Sequence, residues 1–298
     1  MPAQAATKCG TVFVPEALSV AILLILALCA SIPAPFNSTF YERDPALSKE
    51  RISASIPSWL LGILCALLPS LVLLGIHAAS YALHQRRGWL PLHLLLGLAL
   101  ALLATMLATN AIKNVVGSKR PNFFDLCQYA SYNAAMGTHD ASSAAWEYLN
   151  QTTAGGVGRL GKCAGPEALV ADAQRSFPSG HSSLTFSGMA FTALALRSAL
   201  GVRPRDYFSP LALACGCPLA LAAWVAATRV RENWHREIDV TAGAVLGCTM
   251  ALMAWGSIAA KGGVPPPLWE ERKEGGEAAS VEEELRRLGQ AEVDGAGP

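Results

Sequence analysis

Residues Thr228–Asp239 read TRVRENWHREID, a charged run set between apolar segments at 209–228 and 239–260. A bilayer-crossing helix needs about 20 mostly apolar residues. The flanking segments meet that length, so the run reads as a compact charged turn held at a membrane surface. Within it stand Arg229, then five residues, then His235, then three residues, then Asp239. If the second apolar helix begins inside the run, His235 and Asp239 share a helical face and the carboxylate can bind one imidazole nitrogen. That bond fixes the tautomer and leaves the other nitrogen free as a nucleophile or base. Arg229 adds a fork of donors that fits phosphate oxygens.

The rest of the chain repeats the pattern. Of its 298 residues, 52% are hydrophobic and only 15% charged, with a net charge of +1, which speaks against a soluble domain and against a nucleic-acid partner. Further apolar runs lie at 15–34, 59–81, 90–112 and 182–201, which makes six with the first two. The expected fold is therefore all-α: a polytopic membrane protein whose six transmembrane helices form a bundle. The apolar core of the first run is too long for a signal peptide and starts late, after Glu16, so the run reads as a retained helix ended by Pro33-Ala-Pro35. Pro69 predicts a kink in the second.

The expected organisation is a cytosolic lead over 1–14, a six-helix membrane domain over 15–261 and an acidic tail over 262–298. The tail has too few apolar residues to bury a core and is expected to be disordered. The short loops 82–89 and 197–208 are basic and nearly free of acids, which marks the cytosolic side. Both termini then face the cytosol. The loops 35–58, 113–181 and 229–238 face the lumen or the exterior, in the endoplasmic reticulum or the plasma membrane. Two glycosylation sequons, at Asn37 and Asn150, fall in those loops. Of eight cysteines, only Cys127 and Cys163 share such a loop, and an oxidising compartment would let them pair. The remaining cysteines lie in apolar helices or the N-terminal lead, and no His/Cys set has zinc spacing, so no metal is expected.

Two other clusters fall on the same face. Lys113 and Arg120 are seven apart, two helical turns, and Pro121 stops a helix there. Alone, the pair reads as interfacial snorkelling. The octapeptide Ser176-Phe-Pro-Ser-Gly-His-Ser-Ser turns sharply before the fourth apolar run. Ser179 and Ser182 are candidate helix caps, and the exposed N–H groups of a helix start suit an anion. Ser179 and the Gly180 N–H can donate to phosphate, with His181 in reach as a proton donor. Three cations, neutral donors and two histidines, one of which has an adjacent carboxylate, match nucleophile and acid roles at phosphorus. Without a dense carboxylate set for magnesium, the positive side chains must neutralise the phosphate themselves.

In this order, Lys113-x6-Arg120-Pro121, Pro178-Ser179-Gly180-His181 and Arg229-x5-His235-x3-Asp239 resemble the three signature motifs of the type-2 phosphatidic acid phosphatase superfamily. The resemblance covers roughly 36–260, and the segment FYERDPALS is similar to fungal and plant members acting on phosphatidic acid and diacylglycerol pyrophosphate. It implies a six-helix bundle with an extracytosolic active site, no cofactor, a membrane lipid as substrate, and a magnesium-independent phosphatase. His235 is then the nucleophile that forms a phosphohistidine, Asp239 orients it, and His181 protonates the leaving alkoxide. Lys113, Arg120, Ser179, Gly180 and Arg229 bind the phosphate. Thr228 stands where serine is usual, Glu232 where aspartate is frequent and Trp234 where many members carry histidine.

The alternatives within this reading are a sphingoid-base phosphate or polyprenyl pyrophosphate phosphatase. A catalytically silent scaffold of the same fold should have lost a chemical residue, and none is missing. A haloperoxidase fits the site but not the membrane spans, and a transporter would place polar groups at mid-membrane. A homo-oligomer is left open.

Overall fold

The computed structural model describes residues 3–42, 44–84, 90–129, 156–203 and 208–260. His139, the Asn150 sequon and the tail 262–298 lie outside the described residues, as do most of the loop 82–89 and residues 204–207 of the loop 197–208.

The described chain is helical. Its helices are α1 (Ala3–Cys29), α2 (Ser58–Gly62), α3 (Leu68–His84), α4 (Leu90–Val116), α5 (Phe123–Cys127), α6 (Glu167–Ala173), α7 (Gly180–Ala199), α8 (Pro210–Arg231) and α9 (Glu237–Ala260). Two isolated β-bridges, Tyr41 with Val157 and Tyr129 with Cys163, are the only β-pairing among these residues. A π-helical turn, Ile63–Leu67, joins α2 to α3 without a break. This wider turn stands just before Pro69, which lacks an N–H for the helical ladder.

Among the described residues four helices are long and apolar enough to cross a membrane: Ser58–Ala82, Pro91–Val116, Pro210–Arg231 and Glu237–Ala260. The first helix ends at Cys29 rather than near residue 34, and its apolar part, Ala17–Cys29, is short. α7 has the length but not the apolarity, for a packing reason. It touches α3, α4, α8 and α9 and lies at the centre of the bundle. Its polar side chains are buried and paired there: Thr105 Oγ1 of α4 donates to Ser187 Oγ at 3.0 Å, and Thr109 and Ser183 share a hydrogen bond of 2.9 Å. A helix surrounded by protein has no need of a lipid-compatible surface.

The close approach of α9 to α7 depends on two glycines one turn apart. A Cβ at Gly243 would come within 2.7 Å of the Ser179 carbonyl oxygen, and one at Gly247 within 2.1 Å of that of Ser183. The small faces let the start of α7 lie directly on the start of α9, as small residues do in membrane helix pairs. Below this contact Leu73, Leu94, Leu98, Phe191, Ala251 and Ile258 form the bundle core.

The stretch 113–181 reads as a polar loop in sequence, yet its described parts have a core of their own. Phe123, Phe124 and Tyr129 pack with Phe40 from the first loop, with ring centroids 5.0 to 6.0 Å apart. The Cys127–Cys163 disulfide closes this layer. Gly117, at φ +57, ends α4 by donating to the Lys113 carbonyl at 3.0 Å and turns the chain into the layer. Arg120 therefore lies beyond the helix and does not continue its face.

Candidate functional site

The three charged clusters meet at one end of the bundle, around a cavity of about 450 Å³ lined by Lys113, Arg120, Gly180, His181, Arg229 and His235, with Asp172 and Trp234 also at its wall.

Each group is held by its element. Lys113 stands in the last turn of α4, buried, with Nζ donating to the Arg175 carbonyl. Arg120 is held by α6: Nε donates to the Asp172 carbonyl at 2.9 Å, and Nη2 meets Asp172 Oδ1 at 2.8 Å. Its guanidinium also lies 5.1 Å over the Trp234 ring. Arg229, in the last turn of α8, has Nη2 2.6 Å from Glu232 Oε2, and both side chains are almost fully buried. Two nitrogens of Arg229 also donate to Thr228 Oγ1, each at 3.3 Å.

A cis Phe177–Pro178 peptide leads into α7. Ser179 caps the helix, its Oγ accepting from the Ser182 N–H at 3.4 Å, while its own N–H donates to the Asp239 carbonyl at 2.9 Å. Ser182, the other cap candidate, instead donates to the Val240 carbonyl at 2.6 Å and ties α7 to α9. A Cβ at Gly180 would meet Lys113 Cε only at 3.8 Å, so the missing side chain leaves the cavity floor clear between lysine and helix start. His181 Nε2 lies 3.0 Å from the Ile56 carbonyl oxygen.

His235 and Asp239 do not share a helical face. Asn233, at φ +59, turns the chain after α8, and α9 starts only at Glu237. His235 Nδ1 is 3.8 Å from Asp239 Oδ2, too far for a hydrogen bond. Ser176 stands with them: its Oγ donates to Asp239 Oδ2 at 2.6 Å and lies 3.5 Å from His235 Nδ1. The Arg236 N–H donates to the same carboxylate oxygen at 2.9 Å. Burial holds the His235 imidazole neutral by pushing its pKa well below the ordinary histidine value. A neutral imidazole with one nitrogen turned to a carboxylate keeps its other nitrogen available for attack.

Sequence reasoning passed over several of these contacts. Ser176 stood in the octapeptide without a role, and Glu232 and Trp234 stood only as departures. Asp172 and the Ile56 carbonyl carried no signal: one reaches the site from the short helix α6 and the other from the segment before α2, and a backbone oxygen leaves no trace in residue identity. Among the described residues no group of three or more His, Cys, Asp or Glu is placed to hold a metal ion. Asn37 is exposed, and its Oδ1 accepts from the buried Lys119 at 3.3 Å.

Residues 94–262 match the family model of the PAP2 superfamily. Lipid phosphate phosphatase 2 of Arabidopsis thaliana is 29% identical over 78% of this chain and 73% of its own length. Lipid phosphate phosphatase 1 of the same plant is 31% identical over 78% of this chain and 65% of its own. Diacylglycerol pyrophosphate phosphatase 1 of Saccharomyces cerevisiae is 30% identical, over 77% and 75% respectively.

Proposed function

We propose, from the premise that this chain belongs to the PAP2 superfamily, that its cavity hydrolyses lipid phosphates by way of a phosphohistidine and without magnesium. The protein is an integral-membrane lipid phosphate phosphatase, as its relatives' names and its apolar helices indicate. The substrates proposed are phosphatidic acid, diacylglycerol pyrophosphate and lysophosphatidic acid. One observation carries the mechanism: two histidines, one beside a carboxylate, face a single cavity with Lys113, Arg120 and Arg229.

The three cations and the N–H groups at the start of α7 receive the non-bridging phosphate oxygens, and their fixed charge offsets the charge that builds up in the transition state. His235 attacks phosphorus through the nitrogen turned away from Asp239. The phosphorus–oxygen bond to the lipid breaks, and the proton carried by His181 passes to the departing alkoxide. Asp239 stabilises the histidine as it becomes positive. His181, now neutral, takes a proton from water, which attacks the phosphohistidine and releases phosphate. Both histidines return to their starting states.

The same reading takes α1 and α7 as spans beside the four apolar helices, giving six, with both termini cytosolic and the membrane domain over 15–261. The site then faces the lumen or the exterior, in the endoplasmic reticulum or plasma membrane. A disulfide in the loop layer supports that side, because the cytosol keeps thiols reduced. Asn37 and Asn150 are the proposed glycosylation positions.

The test is phosphate release from phosphatidic acid in detergent micelles with excess chelator, wild type beside His235→Ala. Release by the wild type alone supports a metal-independent phosphatase using this histidine. Release by neither, from folded protein, removes phosphatidic acid as substrate, and equal release by both removes His235 as nucleophile.

A further inference from the structure

The segment from Glu50 to Ile56 has no regular secondary structure and is exposed up to Ser55, yet it is tied down at both ends, over Glu50–Ile52 and at Ser55 and Ile56. The Glu50 carbonyl accepts from Asn233 Nδ2 at 3.0 Å, and the Ile52 carbonyl from Trp234 Nε1 at 2.9 Å. The Arg51 N–H donates to Asp125 Oδ2 at 2.7 Å, and its guanidinium lies 5.6 Å over the Trp234 ring. The Ser55 N–H donates to Glu232 Oε1 at 3.0 Å, and Ser55 Oγ accepts from Arg231 at 3.0 Å. Four of these partners, Arg231 to Trp234, are consecutive, running from the last residue of α8 into the turn before the proposed nucleophile. The strap they hold ends at Ile56, which is buried with Leu61, Cys65 and Val225. Its carbonyl oxygen is the one that meets His181 Nε2.

We propose that the strap Glu50–Ile56 is a positioning element for the reaction: clamped by Asn233 and Trp234, it presents the Ile56 carbonyl that fixes the ring of His181. A carbonyl oxygen only accepts, so His181 Nε2 carries a hydrogen, and the proton exchanged with the leaving oxygen is the one on Nδ1. A ring bound in this way is held in one orientation and one tautomer, as the acid of an acid–base pair requires. The glutamate and tryptophan at 232 and 234 then act through the strap, one at its Ser55 end and one at Ile52. The inference rests on His181 being the acid of the proposed mechanism.

The test uses the dependence on leaving group. An alkoxide must be protonated as it departs, whereas 4-nitrophenolate leaves almost unaided, so a defect in the acid shows on a lipid phosphate and not on 4-nitrophenyl phosphate. The variant is Asn233→Gly with Trp234→Phe. Glycine accepts the positive φ at 233, and phenylalanine keeps a ring beside Arg120, so two tethers go without touching Arg229. kcat/KM is measured for both substrates in the same micelles, because it reports the chemistry through departure of the leaving group.

The expected result is a fall of about tenfold on phosphatidic acid relative to 4-nitrophenyl phosphate, on the scale of one or two lost hydrogen bonds. Asn233→Gly alone should give a smaller shift in the same ratio and guards against misfolding of the double variant. An unchanged ratio, whether both rates fall together or neither falls, overturns the proposal. His181→Ala is run beside them. If that variant changes the ratio and the strap variants do not, the strap fails and the acid stands; if His181→Ala leaves the ratio unchanged, the assignment of the acid itself fails.

Discussion

Ser176 Oγ donates to Asp239 Oδ2 at 2.6 Å, and the His235 Nδ1 lies 3.8 Å from that same oxygen. The carboxylate is thus anchored by a serine and by the Arg236 N–H, with the His235 ring beyond hydrogen-bond distance. Ser176→Ala removes one hydrogen bond to a charged acceptor, a loss on the order of tenfold or somewhat more in kcat. Asp239→Asn removes the charge and the tautomer control together, and should cost on the order of a thousandfold or more. Steady-state rates on phosphatidic acid check the ranking. Wild-type rates from Ser176→Ala would show that the serine only fills space.

The two histidines should fail in different ways. His235→Ala has no nucleophile and should release no phosphate. His181→Ala keeps the nucleophile but lacks the base for the second step, so a substrate with a good leaving group should load phosphate onto His235 and leave it there. Radiolabelled phosphate retained by His181→Ala under alkaline quench, and absent from His235→Ala, is the expected pattern. Label on neither variant would count against the covalent route.

Burial sets the direction for pH. An exposed histidine gains its proton near pH 6.5. Desolvation of His235 disfavours the charged ring, so its pKa falls and the neutral, nucleophilic form persists as the solution is acidified below that value. NMR of histidine-labelled protein without substrate, with the signal assigned by its loss in His235→Ala, should show no titration of this ring between about pH 7.5 and 5.5. A midpoint near 6.5 would mean that water reaches the ring and that the neutral nucleophile is not secured by burial.

Glu232 and Arg229 form a buried ion pair, with 2.6 Å between Nη2 and Oε2. Removing one partner leaves a buried charge alone, which costs roughly 3–5 kcal/mol. Glu232→Ala should therefore unfold at clearly lower temperature in detergent and raise KM, because Arg229 loses the group that aims it. Glu232→Gln, which keeps the shape and an acceptor for the Ser55 N–H, should lose less on both counts.

How far the sequence reached follows from which interactions are local. Lys113, Arg120, His181, Arg229 and His235 were each visible because charge is conspicuous beside apolar runs, and the structure gathers all five around one cavity. The long apolar helices were visible for the same reason. α7 shows the limit: it reads as one more span, yet it is the central helix, and its Ser187 and Ser183 are matched by Thr105 and Thr109 of α4, 82 and 74 residues away in sequence. The hydrogen bond expected between His235 and Asp239 assumed an unbroken helix, and the positive φ at Asn233 defeats that assumption. Phe40 and Phe123 gave no hint of a shared core, since neither lies in a periodic pattern. Contacts made by backbone oxygens, such as that of Ile56, are invisible to any reading of side chains.

The disulfide offers a separable test of the loop layer. Cys127 and Cys163 are 36 residues apart, and closing a loop of that length is worth roughly 3–4 kcal/mol through the entropy of the unfolded chain. The layer it closes carries Arg120 and Asp172, whereas His181 and His235 are held by α7, α8 and the α8–α9 turn. Near the bond, the Gly165 N–H donates to the Cys127 carbonyl at 3.0 Å and the Ala164 N–H to that of Gln128 at 3.3 Å, so the folded layer has other ties when the bridge is gone. Cys127→Ser with Cys163→Ser should therefore keep most of its activity at low temperature. Its thermal inactivation should come earlier, with KM rising before kcat falls, as Arg120 loosens first. Reductant should lower the inactivation temperature of the wild type toward that of the variant and leave the variant unmoved. Should the variant lose kcat at every temperature with KM unchanged, the layer would be acting on the histidines and not on phosphate binding through Arg120.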